Sequence, residues 1–265
     1  MPTKIGVIGA GVMGEALISA LITSGINPGL ISISEKRDDR AQELIEKYRI
    51  TVSDLETNVG MSDALLLVVK PQDMASLLDE IGEWIRSDTL VISFAAGKRI
   101  SFISEHLGGR NPIIRVMPNT PTLVGEGMAA IAIGKDVSEP QSNFVRDFLT
   151  STGRVVEVEE ELLDAVTALS GSGPAYFFAF VEAMAKAGSE LGLSPDIANE
   201  LANQTMVGAA KLLATSGMSA STLRENVTSP NGTTAAALAA FISSDLEGIV
   251  KSAMVAARDR SQELA

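Results

Sequence analysis

Along the first 158 residues, short aliphatic runs alternate with segments whose apolar positions recur every three or four residues. The runs fall at 4–8, 30–34, 64–69, 89–94, 113–117, 128–133 and 154–158. Several are continuous and rich in Leu or β-branched residues, the pattern of parallel strands covered on both faces. Helical spacing occupies 13–24, 38–48, 73–86, 101–107 and 139–151. Gly25 stands where a helix commonly ends on a residue of positive φ. Strands and helices in this alternation predict an α/β domain built on a doubly wound parallel sheet.

The strand signal stops near Glu159. Residues 159–265 carry Ala, Leu, Met and Gly at helical spacing, with helices expected over 160–168, 174–191, 195–215, 219–226, 232–242 and 245–263. Ser194 before Pro195 marks a helix start, with Ser as cap and Pro in the first helical position. The chain therefore reads as an α/β domain, 1–158, followed by an all-α domain, 159–265, with a short join that keeps the two in contact.

A length of 265 residues suits two domains, and 46% hydrophobic residues are enough for a sizeable core. The net charge of −12 argues against nucleic acid or an anionic membrane as partner, because both need clustered Lys and Arg. There is no cysteine, which removes disulfides, thiolate metal sites and cysteine nucleophiles and fits a reducing, cytoplasmic setting. Any His-based proton relay or metal site would have to run through His106, the single histidine. It lies beside Gly108 and Gly109 at a helix end, a place for a capping or exposed residue. Residues 4–24 are mostly apolar, but Glu15 interrupts them and no small-residue cleavage site follows. They read as strand, turn and helix, not as a secretion signal. No apolar run reaches the roughly 18 residues needed to cross a bilayer.

The chemistry begins where the first strand ends, in Gly9-Ala10-Gly11-Val12-Met13-Gly14. In a strand–turn–helix setting the first glycine permits the tight turn, the second lets backbone approach a pyrophosphate, and the third allows close helix–strand packing. This is the fingerprint of a Rossmann dinucleotide site, with the pyrophosphate on the helix N-terminus. Cofactor choice is written after the second strand, in Ser34-Glu35-Lys36-Arg37. Glu35 suits a ribose 2′-hydroxyl, whereas Lys36 and Arg37 suit a 2′-phosphate. Two cations against one carboxylate favour NADPH, with NADH the alternative; solvated charges at a helix start would look the same. Val68-Val69-Lys70-Pro71 and Phe94-Ala95-Ala96-Gly97 follow strand ends on the same sheet edge, where ligands of such sheets bind. Met117-Pro118-Asn119-Thr120-Pro121 is placed to close the cleft.

Two polar, glycine-containing stretches interrupt the helical domain, Leu169–Tyr176 and Asn226–Thr234. The second brings Gly232, Thr233 and Thr234 to a helix N-terminus, where free N–H groups and hydroxyls suit a small carboxylate. Simple capping by Ser or Thr accounts for the same residues. There is no Tyr-x-x-x-Lys pair, since Tyr48 and Tyr176 are followed four residues on by Val52 and Phe180. Most alcohol and hydroxy-acid dehydrogenase schemes thus lack their proton-handling group.

These segments, in this order and over nearly the whole chain, resemble the pyrroline-5-carboxylate reductase family, whose signature matches Thr228 to Thr234. Two departures are visible. Asn231 replaces a usual Gly, and Ser243-Ser244-Asp245-Leu246 replaces a Gly-Gly-Phe segment. The resemblance implies reduction of the cyclic imine 1-pyrroline-5-carboxylate to L-proline by NADPH or NADH. It implies cofactor contacts at Ile8, Gly9, Ala10, Gly11, Val12, Met13, Lys36, Val68, Val69, Lys70, Pro71, Phe94, Ala95, Ala96 and Asn226, to which charge adds Arg37. It implies substrate contacts at Glu160, Thr233 and Thr234, with Ser229 and Gly232 in the carboxylate cradle and the Thr234 hydroxyl near the ring nitrogen. It also implies dimers through the helical domain, with rings of dimers as a further level. Gly171, Gly173, Gly188, Gly192 and Gly208 are consistent with close helix approach. A protonated imine needs a hydride and no strong enzymic acid, which agrees with the missing His and Tyr–Lys groups.

Two rivals use the same features. A β-hydroxy-acid dehydrogenase joins the same kinds of domain and would use a helix lysine, for which Lys186 is the candidate. Glu182, four residues earlier, makes an ion pair the plainer role. A dinucleotide sensor would keep the glycine turn but has no need of a carboxylate cradle.

Overall fold

The computed structural model describes residues 2–264. The chain forms two compact units: one runs to Ser172 and takes in the chain again from Ala256, and the other is Gly173–Val255.

The first unit holds an eight-stranded sheet of β1 (Ile5–Ile8), β2 (Ile31–Ser34), β3 (Thr51–Val52), β4 (Ala64–Leu67), β5 (Leu90–Ser93), β6 (Ile113–Met117), β7 (Gly127–Ile133) and β8 (Gly153–Glu157). Its order is β3-β2-β1-β4-β5-β6-β7-β8, and Ile5 lies opposite both Ile31 and Ala64. The order reverses between β1 and β4, which puts the ligand crevice outside their carboxyl ends. The helices are α1 (Val12–Thr23), α2 (Asp38–Tyr48), α3 (Leu55–Met61), α4 (Met74–Ile81), α5 (Ile100–His106), α6 (Glu139–Thr150) and α7 (Leu163–Val166). Alternating side chains send Ile5 and Val7 into a core with Leu17, Ile18 and Leu21 of α1. Ile8, Leu65 and Leu67 join Met74 and Leu78 of α4 on the other face. This two-sided burial is why the strands read as unbroken apolar runs.

The spacing predicts a parallel sheet, and the structure departs from it at one place: β7 runs antiparallel to β6. Only residues 118–126 link them, with a 3₁₀ turn at Thr120–Val124, and a parallel crossover needs roughly a dozen residues or more. Two elements are additions. β3 has two exposed residues, and α3 has seven behind the cap Asp54, whose carboxylate accepts the Thr57 N–H at 2.8 Å. The compact units also divide at Ser172, not at 158. Residues 159–172 stay with the sheet because Leu163 sinks against Ala130 and Ala132, and Asn119 donates to the Ser170 carbonyl at 3.2 Å. The chain end returns because Ser261 donates to Asp164 at 2.6 Å. Leu169–Tyr176 is no interruption: a π-helical turn, Thr167–Gly171, runs almost directly into the next helix.

The second unit comprises α8 (Gly173–Glu190), α9 (Pro195–Thr215), α10 (Ala220–Asn226), α11 (Thr233–Ser243) and the start of α12 (Leu246–Glu263), which ends in the first unit. Ser194 caps α9 as expected, and the small buried residues Ala185, Ala198 and Ala202 join α8 to α9. Large apolar side chains are left uncovered here, with Phe177, Phe178, Leu191, Ile242 and Ile249 all more than half exposed. Among the described residues no single helix is long and apolar enough to cross a membrane.

Candidate active site

The glycine turn leaves β1 at the switch point. Gly9 has φ +89°, and a Cβ there would lie 2.8 Å from the Val68 carbonyl oxygen, so this turn and the end of β4 are in contact. A Cβ on Gly14 would collide with the Gly9 carbonyl oxygen. At Gly11 the result is opposite, since a Cβ would meet nothing within 4 Å. Gly11 caps α1 without any side chain taking up the first-turn N–H groups. The site is thus bare backbone facing open space at an uncapped helix N-terminus, which fits a pyrophosphate.

Charged side chains surround this turn. Glu35 accepts the Ala10 N–H at 2.9 Å and the Arg37 N–H at 3.1 Å. Arg40 donates to the Ala10 carbonyl at 3.1 Å, to Glu43 at 2.7 Å and also to Glu15. Glu15 further accepts from Lys47 at 2.7 Å and from the Tyr48 hydroxyl at 3.0 Å. Burial alone would raise the Glu15 pKa, but the hydrogen bonds from Lys47, Arg40 and Tyr48 outweigh it and bring it down to about 2. Arg37 is turned to Asp39, with contacts of 2.6 and 3.2 Å, and Lys36 is exposed.

The other candidate loops share this edge. Val68 and Val69 are half-buried, Lys70 is exposed, and Pro71 opens a 3₁₀ turn. Phe94 and Ala95 are buried and Ala96 half-buried. A Cβ on Gly97 would lie 2.6 Å from the Ser261 carbonyl oxygen, so the end of α12 covers this loop. The structure therefore brings Ile8 to Met13, Lys36, Arg37, Val68 to Pro71 and Phe94 to Ala96 to the carboxyl ends of β1, β2, β4 and β5. His106 is the last residue of α5, its ring Nδ1 2.8 Å from the Phe102 carbonyl oxygen.

Glu160 belongs to the first unit. One of its oxygens accepts the Ile100 N–H at 2.7 Å, at the start of α5, and pairs with the buried Arg115 at 2.7 Å.

The remaining candidates lie in the second unit. Asn226 ends α10, its amide nitrogen 3.6 Å from the Met218 sulfur. Asn231 takes φ +59°, the left-handed conformation that Asn tolerates, so the turn survives without Gly. Gly232 caps α11 with no side-chain capping bond, and the Ser or Thr cap that spacing allowed is not formed. A Cβ on Gly232 would come within 2.5 Å of the Ser229 hydroxyl oxygen. The first-turn N–H groups at Thr233 and Thr234 are thus left without a helical or side-chain partner, the arrangement that attracts a carboxylate. Lys186 and Glu182 are both exposed on α8, and the ion pair that their spacing suggested is not formed among the described residues.

Sequence reasoning missed Glu15 and Arg40 as members of the site. The signal was Glu15 itself, a lone carboxylate in an apolar helix, which burial permits only with a cation beside it.

A glycine-turn sheet followed by a helical unit with an open signature-loop terminus defines a two-part dinucleotide oxidoreductase architecture. The family description "pyrroline-5-carboxylate reductase dimerisation" matches residues 160–264, and "NADP oxidoreductase coenzyme F420-dependent" matches residues 4–97. The chain is 41% identical over 266 residues to the pyrroline-5-carboxylate reductase of Corynebacterium melassecola, covering 99% of this chain and 98% of that protein. It is also 41% identical to that of Haemophilus influenzae, with 98% and 97% covered. The pyrroline-5-carboxylate reductase structure from Coxiella burnetii matches with a TM-score of 0.90 at 32% identity, covering 99% of this chain and 98% of that one. The Plasmodium falciparum enzyme with NADP bound matches with a TM-score of 0.87 at 31% identity and the same coverage. The chain belongs to the pyrroline-5-carboxylate reductase family.

Proposed function

We propose that the chain reduces 1-pyrroline-5-carboxylate to L-proline with NADPH, or less readily NADH, as the last step of proline biosynthesis in the cytoplasm. The observation that carries this reading is the uncapped start of α11, where Gly232 and Ser229 leave the N–H groups of Thr233 and Thr234 open to a carboxylate. The NADP bound by the Plasmodium falciparum relative supports the choice of dinucleotide.

Residues 1–158 bind the dinucleotide, and 159–265 bind the substrate and form the dimer. Ile8 to Met13 cradle the pyrophosphate, and Lys36 and Arg37 attract the 2′-phosphate. Val68 to Pro71, Phe94 to Ala96 and Asn226 complete the dinucleotide contacts. When bound, the reduced nicotinamide supplies the hydride for the imine carbon. Thr233, Ser229 and Gly232 hold the substrate carboxylate, and Glu160 adds a polar contact. The Thr234 hydroxyl orients the ring nitrogen and holds its proton. The exposed apolar side chains of the second unit form the dimer interface, and dimers assemble further into rings.

The test is NADPH oxidation, followed by absorbance, with 1-pyrroline-5-carboxylate, against NADP reduction with 3-hydroxy acids. Turnover confined to the imine is expected. Turnover confined to the hydroxy acids, or binding of dinucleotide with no turnover of either, would overturn the reading.

A further inference from the structure

We propose that Arg40 is a positioning residue for dinucleotide binding, acting by its grip on the Ala10 carbonyl. The inference rests on the dinucleotide reading of the glycine turn. Arg40 lies outside the glycine motif and on a different helix, yet it donates to the Ala10 carbonyl oxygen at 3.1 Å. Glu35 takes the Ala10 N–H at 2.9 Å. Both peptide planes flanking Ala10 are therefore held by side chains from the segment that follows β2.

The consequence falls on Gly11. In a trans peptide the carbonyl and the next N–H point in opposite directions, and no peptide bond among the described residues is cis. Holding the Ala10 carbonyl towards Arg40 aims the Gly11 N–H the other way. The glycines on either side of Ala10 would otherwise leave these planes free to rotate, an entropy that binding would have to remove. Arg40 is itself fixed, because its remaining nitrogens bind Glu15 on α1 and Glu43 on α2. Glu15 is further tied to Lys47 and Tyr48, so α1, the turn and α2 form one charged lattice. A planar guanidinium serves three acceptors at once; a lysine ammonium has a single nitrogen and cannot reach all three in this geometry.

The experiment titrates NADPH and NADH into the full-length protein by fluorescence, with melting temperatures measured alongside. Arg40→Met should weaken both dinucleotides roughly tenfold, the scale of a lost charge-assisted hydrogen bond. Lys47→Met removes another Glu15 contact without touching Ala10, so it should lower the melting temperature and leave both affinities within about twofold of the unmodified protein. Equal weakening by Lys47→Met would assign the effect to general stability and overturn the proposal. Arg40→Lys keeps the charge and should still lose affinity; wild-type affinity there would assign the effect to charge alone and also overturn it. Should Arg40→Met fail to fold, Arg40→Lys and Lys47→Met decide the matter. An unmodified protein that binds neither dinucleotide defeats the dinucleotide reading instead, a result distinct from tight binding that is indifferent to Arg40.

Discussion

Glu15 on α1 and Arg40 on α2 form an ion pair with only 13% and 15% of their side chains exposed. Such a pair is costly to bury and strongly destabilising to break from one side, because the remaining charge is left uncompensated. Here each partner is served again: Glu15 by Lys47 and Tyr48, and Arg40 by Glu43 and the Ala10 carbonyl.

The Glu15 pKa, brought from 4.5 down to about 2, ties this lattice to pH. A carboxylate with a depressed folded-state pKa contributes stability that is fully present above its unfolded value and is lost as pH falls through the folded one. The shift corresponds to about 3 kcal/mol. Glu15→Gln should therefore be less stable than the unmodified protein at pH 7 by about that amount. The difference should hold down to pH 4.5 and close as pH approaches 2. Urea unfolding midpoints across this range check it; a difference that does not change with pH would show that the carboxylate charge is not what matters.

The glycines of the turn predict a contrast. Gly11 has extended backbone, φ −65°, and open space beyond it, so Gly11→Ala should fold with an unchanged melting temperature. Its methyl group would occupy the approach to the helix N-terminus and should weaken dinucleotide binding at least about tenfold. Gly14→Ala instead drives a methyl group into the Gly9 carbonyl and should cost about 2 kcal/mol or more of stability. Calorimetry and dinucleotide titration on both variants separate the two roles. Equal melting temperatures would refute the packing role of Gly14.

The sequence showed most readily what is local and repetitive. Ile5 to Ile8 and Ala64 to Leu67 are buried on both faces, so their composition alone marks them as strands. The direction of β7 was not legible, because an apolar run looks the same either way and only the short connection from Met117 forbids a crossover. Thr51–Val52 is too short for any periodicity. The glycines of 169–176 suggested a loop, yet Gly171 and Gly173 lie in π- and α-helical turns. The glycine turn announced itself through spacing. Its clamp did not, because Ala10, Glu35 and Arg40 meet only after the chain has completed a strand–helix–strand excursion.

Cofactor choice comes down to Lys36 and Arg37. Arg37 already has Asp39 as partner and is 68% exposed, so a 2′-phosphate must compete with that carboxylate. Glu35 is occupied by two backbone N–H groups, which fixes it close to the same place. Replacing Lys36 and Arg37 together with Ala should weaken NADPH about 5- to 30-fold while leaving NADH nearly unchanged, the modest scale of screened charges. The ratio of kcat/KM for the two dinucleotides measures this directly. An unchanged ratio would show that neither residue reads the 2′-position.

Thr234 carries the last expectation. It is the second residue of α11, half-buried, and follows the uncapped Gly232. Its N–H lies in the first turn, where the backbone can hold a carboxylate whatever the side chain, so Thr234→Ala should leave that part of binding in place. What the substitution removes is the hydroxyl proposed to orient the ring nitrogen. Losing the hydrogen bond that aligns the ring with the nicotinamide misplaces the reacting carbon and costs roughly 10²-fold in turnover. Thr234→Ala should therefore lower kcat by about that factor, with the affinity for NADPH unaltered and the KM for the imine changed much less than kcat. Thr234→Ser keeps the hydroxyl and should recover most of the rate. If Thr234→Ser were as slow as Thr234→Ala, the side chain would be acting through packing at the helix start and its catalytic assignment would fall.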